Sequence, residues 1–209
     1  MSGKLASLIG LARFLYLQRV TGFSPPGDEP FMDAAGVVRF RLELGRANHY
    51  VEFGSGGSTV MADRAGLPAV SVENDRFYAR AVASRLGSAS VRQIVVPMGL
   101  TREWGWPLWP SRLAAQAYVT APWDQPWFPD FILVDGRYRV ACALESARRA
   151  HAVGTTATLM FDDYAERPQY HVVEDHLGPP EMAGRAALFQ IGLGPVPEAA
   201  VTPWLDVPA

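Results

Sequence analysis

One short stretch constrains the fold of this chain more than any other: an apolar run over 49–53 that passes directly into a loop of small residues. Gly54 and Gly56 lie in this loop, and the residues from 57 to 65 have the pattern of a helix start. Glycine permits both a sharp turn and the close approach of a ligand, because a Cβ atom would block them. The order of strand, tight turn and helix is how α/β proteins bring a nucleotide-like ligand against bare backbone.

A second strand pattern strengthens this interpretation. The apolar segment 69–73 ends at Glu73, which lies 21 residues after Glu52 in the first strand. An acidic residue at that distance, at the end of the next strand, is placed to accept hydrogen bonds from both hydroxyls of a ribose. The pattern predicts a nucleoside-containing ligand. An ordinary strand-to-helix turn in some other α/β protein is the alternative.

The chemistry of the loop narrows the class of ligand. A P-loop requires a lysine followed by serine or threonine after its glycines, and Lys4 is the only lysine in the chain. The dinucleotide-binding pattern requires glycine at the position of Thr59. A pyrophosphate ligand is therefore the poorer fit. A nicotinamide-dependent oxidoreductase, one hypothesis for this chain, is disfavoured on the same ground.

Strand and helix patterns alternate along the remaining sequence. Further strands are predicted at 91–96, 131–134, 157–161 and 186–191, and helices at 32–44, 75–86, 137–152 and 168–177. Such alternation favours a parallel sheet with helices on both faces. Right-handed crossovers then bring the carboxyl ends of the strands to one edge, where ligands bind. We predict an α/β fold with a Rossmann-like, doubly wound, mostly parallel sheet.

Three aspartates follow two of these strands. Asp135 comes directly after 131–134, and Asp162 and Asp163 come directly after 157–161. Carboxylate oxygens are the preferred ligands of Mg²⁺ and Ca²⁺, so these side chains can converge on a divalent cation. Alternatively, the Asp162–Asp163 pair caps its turn and forms ion pairs with Arg137 or Arg167.

The Glu-x-Gly-x-Gly loop at 52–56 resembles motif I of the class I S-adenosylmethionine-dependent methyltransferases, with Glu73 at the ribose position. The segments Val-Asp-Gly-Arg at 134–137 and Phe-Asp-Asp-Tyr at 161–164 resemble the metal-binding segments of catechol O-methyltransferase and its relatives. Both segments are closer still to a group of uncharacterised bacterial methyltransferase-like proteins. The resemblance extends over residues 30–192.

The resemblance implies a methyltransferase that uses S-adenosylmethionine on a small-molecule acceptor, most simply at oxygen, with Mg²⁺ as a candidate second cofactor. It also implies that the late strand at 186–191 is antiparallel. The implied cofactor-binding residues are Glu52, Gly54, Ser55, Gly56, Ser58, Thr59, Glu73, Asn74 and Asp135. The implied metal ligands are Asp135, Asp162 and Asp163, and the candidate catalytic residues are Asp135, Asp162 and His171.

The chain departs from the catechol-type pattern at three points. Ser58 stands where a third glycine is common, and Asp163 stands where that family has asparagine. The lysine base of the family, shortly after the fourth-strand aspartate, is also missing, and arginine stays protonated and cannot replace it. Deprotonation of the acceptor would then come from a metal, an aspartate or His171. A methyltransferase-like binding protein that has lost catalysis is the second hypothesis.

The predicted organisation is one domain over 1–209, with an N-terminal helical segment at 1–45 and an insertion at 97–129. This insertion carries five of the six tryptophans and several prolines. A long aromatic loop over the ligand edge is typical of a lid or substrate wall. Tryptophans that fill a hydrophobic patch where a helix is missing are the equal alternative.

The amino-acid composition indicates which binding partners and which cellular compartment to expect. The formal charge of −2 provides no electrostatic footprint for nucleic acid. The apolar N-terminal stretch at 5–16 is too short to span a bilayer, so we expect no membrane association through it. A single cysteine, Cys142, cannot form an internal disulfide, and a reducing cytoplasm is the simplest expectation.

Overall fold

The computed structural model describes residues 2–209, with side chains from Ile9 onward. The helices are α1 (Ser2–Tyr16), α2 (Ala34–Leu44), α3 (Gly57–Arg64), α4 (Arg76–Ala83), α5 (Arg112–Thr120), α6 (Arg139–Ala152), α7 (Glu174–Leu177) and α8 (Glu198–Val201). The strands are β1 (Tyr50–Phe53), β2 (Ala69–Glu73), β3 (Val91–Val95), β4 (Thr101–Arg102), β5 (Trp106–Pro107), β6 (Phe131–Val134), β7 (Ala157–Phe161), β8 (Glu181–Ala183) and β9 (Ala186–Ile191).

A seven-stranded sheet in the order β3-β2-β1-β6-β7-β9-β8 forms the centre of the molecule. The first five strands in this order run parallel, whereas β9 is antiparallel to β7 and β8 is antiparallel to β9. The predicted fold class, a mostly parallel Rossmann-like sheet with an antiparallel late strand, is confirmed. The separate β4–β5 hairpin was not predicted from the sequence.

Strand order reverses between β1 and β6, and this reversal positions the site. Chain continuity places β2 and β3 on one side of β1, whereas β6 and β7 lie on the other side. Phe53 aligns with Val72 on one neighbour and with Val134 on the other, so the three strands end level with each other. A crevice at the carboxyl ends of β1 and β6 is where an open sheet of this type binds ligands.

The central strands are buried because helices cover both faces of the sheet. β1, β2 and β6 are buried along their whole length, as expected for parallel strands. On one face, Val51 and Ile132 belong to the larger apolar cluster, which includes residues of α5 and α6. On the other face, Tyr50 and Phe131 pack against Phe40 of α2.

Two predicted helices begin later than the sequence indicated. The helix predicted from residue 32 begins at Ala34, because the Asp33 side chain accepts a hydrogen bond from the Gly36 N–H group at 2.7 Å and caps it. The helix predicted from residue 137 begins at Arg139, because Tyr138 adopts a left-handed conformation with φ of 55°. The helix predicted at 168–177 is a 3₁₀ helix over Pro168–Val173 followed by the short α7.

The N-terminal segment contains α1, a π-helical turn over Leu17–Thr21, and α2 after a non-helical stretch at 22–33. The side chain of Gln18 is buried, and its Nε2 atom donates a hydrogen bond to Thr101 Oγ1 at 2.8 Å. This contact ties the N-terminal segment to the 97–129 insertion. Over residues 2–209, none of the helices combines the length and the apolar character that a membrane span requires.

Candidate functional site

Two glycines hold the ends of β1 and β6 in close contact. Gly54 has φ of +97°, and a Cβ atom on it would lie 2.8 Å from the backbone nitrogen of Gly136. A Cβ atom on Gly136 would in turn lie 2.8 Å from the nitrogen of Gly54 and clash with the Tyr118 hydroxyl. Only glycine fits at both positions. The loop after β1 and the loop after β6 therefore form one continuous floor of the crevice.

The backbone N–H groups of the glycine loop are bonded within the protein. Gly54 donates to the Val72 carbonyl at 2.8 Å, and Gly56 donates to Thr59 Oγ1 at 2.8 Å. The N–H group of Ser55 donates to Glu73 Oε2 at 3.1 Å. A phosphate-binding loop presents such groups to its ligand, and these three are already used. These internal hydrogen bonds agree with the poor match between the sequence and the pyrophosphate-binding patterns.

Glu52 supports the loop from beneath. It is fully buried, and its carboxylate accepts hydrogen bonds from Tyr50 Oη at 2.9 Å, from Ser58 Oγ at 2.6 Å and from Thr59 Oγ1. Burial raises the pKa of Glu52, and the hydrogen bonds oppose this shift. The Glu52 carboxylate thus bonds to the hydroxyl groups of Ser58 and Thr59 and fixes the start of α3. All three residues were predicted to bind the cofactor.

Glu73 joins the end of β2 to the glycine loop. Its Oε1 atom accepts from the N–H groups of Asn74 and Asp75, both at 2.8 Å, and its Oε2 atom accepts from Ser55. Burial raises the pKa of Glu73 to about 7, although these hydrogen bonds favour the ionised form. Oε2 keeps free capacity to accept another donor. Of the predicted ribose and loop residues, Glu73 and Ser55 are thus in direct contact.

A pocket of about 260 Å³ opens beyond the ends of β2 and β3, next to the residues that follow Glu73. Its walls include Asn74 and Phe77 on one side and the segment from Pro97 to Thr101 on the other. Asn74, another predicted cofactor residue, lies at its edge and donates from Nδ2 to the carbonyl oxygen of Gly105 at 2.6 Å. The pocket is therefore lined by residues that directly follow Glu73, the acid that the sequence indicates for the ribose, although Glu73 itself is not part of the lining.

The three predicted metal ligands do come together. Oxygen atoms of Asp135, Asp162 and Asp163 all lie within 4.8 Å of one another. This outcome follows from the register, because Val134 of β6 aligns with Phe161 of β7. Asp162 is almost wholly buried, and Asp163 has φ of 58°, a left-handed conformation that turns the chain immediately after β7.

Arginines engage all three carboxylates. Arg139 Nη2 lies 2.9 Å from Asp135 Oδ1, and Arg139 Nη1 lies 3.2 Å from Asp163 Oδ2. Arg185 donates to both oxygens of Asp162, at 3.1 and 2.9 Å, in a two-pronged contact. Arg167 Nη2 lies 2.8 Å from Asp163 Oδ2. Of the two partners suggested by the sequence, Arg167 is confirmed, whereas Arg137 forms no ion pair among the described residues.

This pairing is a poor fit to a divalent cation. Three negative charges are matched by three guanidinium groups, and each aspartate has at least one carboxylate oxygen within ion-pair distance of an arginine nitrogen. A cation entering between the aspartates would have to displace positive groups held at 2.8–2.9 Å. The carboxylates alone match the chemistry of Mg²⁺, but their surroundings do not.

Asp135 has the electrostatic environment of a proton acceptor at neutral pH. Burial raises its pKa to about 7; Arg139 opposes this shift, whereas Asp162 and Asp163 reinforce it. Its side chain keeps about a third of its surface exposed, so it faces the crevice. A carboxyl group with a pKa near the working pH can accept a proton from a substrate hydroxyl.

His171 lies on the 3₁₀ helix after β7, on the outer side of Tyr164. Its ring stacks on the Tyr164 ring at 4.8 Å, and its Nε2 atom lies 3.3 Å from the Tyr164 carbonyl oxygen. Within the described part of the chain, it forms no hydrogen bond to the three aspartates. Its catalytic role stays a prediction that this geometry does little to support.

The tryptophans of the 97–129 insertion divide between two roles. Trp123 and Trp127 pack against the main apolar core, as the patch-filling alternative expects. Trp104 and Trp106 belong to the β4–β5 hairpin region, where Trp104 lies 6.0 Å from Phe31, centroid to centroid. Because Asn74 bonds to Gly105, this hairpin lies beside the end of β2. Its role as a lid stays a prediction.

The sheet order, the antiparallel final pair of strands, the glycine loop and the acid at the end of β2 together define a methyltransferase-like α/β protein. The chain is similar to a methyltransferase-like protein of Silicibacter pomeroyi DSS-3, with a TM-score of 0.74 and 35% sequence identity over 88% of this chain and 99% of that chain. At this identity and coverage, the chain belongs to the family of methyltransferase-like proteins.

A second similarity is more distant. A hypothetical protein of Thermus thermophilus aligns with 84% of this chain and 94% of its own, at 18% identity and a TM-score of 0.48. No protein-family model matches the chain, and no curated protein matches it.

Proposed function

We propose that this protein is an S-adenosylmethionine-dependent methyltransferase that acts on an oxygen atom of a small molecule. The observation that carries the proposal is the position of Glu73 at the end of β2, with its carboxylate bonded to the glycine loop. The two residues that follow it, Asn74 and Asp75, line a pocket. A carboxylate at that strand end can accept hydrogen bonds from a ribose. The internally bonded loop offers few donors to a phosphate, which favours a cofactor without pyrophosphate.

The cofactor, when bound, supplies a methyl group that is already activated by a sulfonium centre. The protein then has to orient the acceptor oxygen, exclude water and receive one proton. We assign proton acceptance to Asp135, which lies at the end of β6 beside the glycine floor. The cofactor would give its methyl group to the acceptor oxygen and leave as a neutral thioether, while Asp135 would receive the hydroxyl proton and release it to solvent.

No step in this proposal passes through a metal. Arg139, Arg167 and Arg185 hold the aspartates in place and supply the positive charge that a cation supplies in the catechol-type enzymes. The test is a calorimetric titration with S-adenosylhomocysteine, first alone and then with magnesium. We expect binding without magnesium, little change on its addition, and turnover on hydroxylated acceptors that persists in a chelator. Preference for a nicotinamide cofactor would contradict the proposal, and magnesium-dependent turnover would reject the role given to the arginines.

A specific pH dependence is expected for cofactor binding. The pKa of Glu73 is about 7, and ribose hydroxyls donate more strongly to its ionised form. Affinity for S-adenosylhomocysteine should therefore rise as the pH increases from 6 to 8, by about tenfold if only the ionised form binds. Calorimetry at several pH values measures this change. Glu73→Gln should flatten the profile, whereas Asp135→Asn should preserve it; a profile unaffected by Glu73→Gln would assign the titration to another group.

A binding protein without catalysis is the second candidate, because the chain lacks the lysine base and holds Asp135 in an ion pair with Arg139. Tight binding of S-adenosylhomocysteine with no turnover on a broad panel of hydroxylated acceptors would favour it. Turnover that falls strongly in Asp135→Asn would instead support the enzyme.

A further inference from the structure

Arg137 differs from the other arginines at this edge of the sheet. The residue is only 6% exposed, yet it forms no ion pair among the residues that the structure describes. Its Nε atom is buried and has no hydrogen-bond partner within the part of the chain that the structure describes. Arg139, Arg167 and Arg185 already match the three aspartates, so Arg137 is a buried guanidinium left without a carboxylate. Burial and the nearby Arg139 also lower the pKa of Arg137, as expected for a charge that its surroundings compensate poorly.

The position of Arg137 relates it to the crevice. It follows the end of β6, two residues after Asp135, and its guanidinium lies 5.3 Å from the centre of the Trp106 ring. Trp106 directly follows Gly105, whose carbonyl oxygen accepts from Asn74 at the end of β2. The β4–β5 hairpin thus contacts residues that follow both β2 and β6, and Arg137 lies beside its tryptophan.

The contact with Trp106 leaves the donors of Arg137 free. An indole ring interacts with the face of a guanidinium group, whereas its N–H donors point outward in the plane. A carboxylate approaching in this plane can accept from two of those donors at once. The Trp106 ring, 5.3 Å from the guanidinium carbon, would restrict the movement of the group for such a contact. This would explain why a cation is retained there although it has no ion-pair partner among the described residues.

We propose that Arg137, which lies beside Trp106, binds a carboxylate group during the methyl transfer proposed above. Two sources of this group are chemically equivalent at the site. One is the amino-acid carboxylate of the cofactor, and the other is an acid group on the acceptor molecule. In either case Arg137 binds and orients the reactants and takes no part in proton transfer.

The experiment compares Arg137→Met with Arg102→Met by calorimetry. Arg102 is a matched control because it lies 5.4 Å from the same Trp106 ring but is exposed to solvent. The first arm measures S-adenosylhomocysteine against methylthioadenosine, which lacks the amino-acid carboxylate. The second arm measures 4-hydroxybenzoate against 4-hydroxybenzamide on protein loaded with S-adenosylhomocysteine. We expect Arg137→Met to bind the carboxylate-containing member of one pair, and of one pair only, at least tenfold more weakly than wild type. Arg102→Met should bind all four compounds with affinities close to those of wild type.

The arm that responds identifies the source of the carboxylate. The proposal would be overturned if Arg137→Met left the affinity ratio within both pairs unchanged or weakened both members of a pair equally. The same loss of affinity in Arg102→Met would also overturn it. Arg137→Lys keeps the charge without the planar group, so its affinity for the carboxylate-containing compound should lie between those of wild type and Arg137→Met. Failure of wild type to bind either S-adenosylhomocysteine or methylthioadenosine rejects the proposed function instead, and the benzoate pair can then be measured on the free protein.

Discussion

Replacement of Glu73 by alanine is expected to weaken the binding of S-adenosylhomocysteine by about 2–4 kcal/mol, which is the worth of two charge-assisted hydrogen bonds. This corresponds to a loss of about 30- to 1000-fold in affinity. The physical reason is that the buried carboxylate is bonded to the glycine loop, at the strand end where ribose hydroxyls would donate to it. Isothermal titration calorimetry at pH 8, where the wild-type group is ionised, measures the effect.

The same substitution removes the acceptor for the N–H groups of Ser55, Asn74 and Asp75, so loss of folding must be separated from loss of binding. Glu73→Gln keeps one acceptor oxygen and should lose less affinity. Glu43→Ala is the matched control, since Glu43 is also buried but is paired with Arg39 on α2. An affinity for S-adenosylhomocysteine that survives Glu73→Ala unchanged would remove the ribose contact and with it the main support for the proposed function.

Replacement of Arg185 by methionine should lower the free energy of unfolding by about 3–5 kcal/mol, the usual cost of leaving one member of a buried ion pair alone. Asp162 is 1% exposed, and Arg185 contacts both of its oxygens. Arg185 also donates to the Phe31 carbonyl oxygen, so its loss frees the stretch before α2 as well. Urea unfolding followed by tryptophan fluorescence gives the difference.

Arg112→Met provides the comparison for this prediction. Arg112 forms an ion pair with Asp206 at 2.9 Å, but both side chains are more than half exposed. Exposed pairs contribute about 0–1 kcal/mol, because water screens the charges and the side chains lose conformational freedom. Equal costs for Arg185→Met and Arg112→Met would mean that Asp162 does not depend on Arg185, and a cation between the aspartates would again become the better account of the cluster.

Local pattern and one topological rule were enough to predict the fold and the location of the site. The apolar runs, the glycine loop at 54–56 and the acid at position 73 are local signals, and each corresponds to an observed strand, turn or strand end. Right-handed connections between parallel strands then bring the carboxyl ends to one edge whatever the details of packing. For this reason Asp135, Asp162 and Asp163 could be predicted to meet.

Tertiary structure alone decided which charged groups face one another at the candidate site. Arg185 lies 23 residues after Asp162 and reaches it because β9 returns antiparallel to β7, a contact that no spacing in the sequence encodes. Arg137 was one of two arginines that the sequence offered as alternative partners for Asp162 and Asp163, but it lies beside Trp106 instead. Its neighbour Tyr138 turns the chain there in a left-handed conformation. The sequence by itself thus determined the sheet, the glycine loop at 54–56 and the edge at which the three aspartates meet. Only the packed structure decided which charges are neutralised and which one stays available, because side-chain direction depends on contacts between residues far apart in the chain.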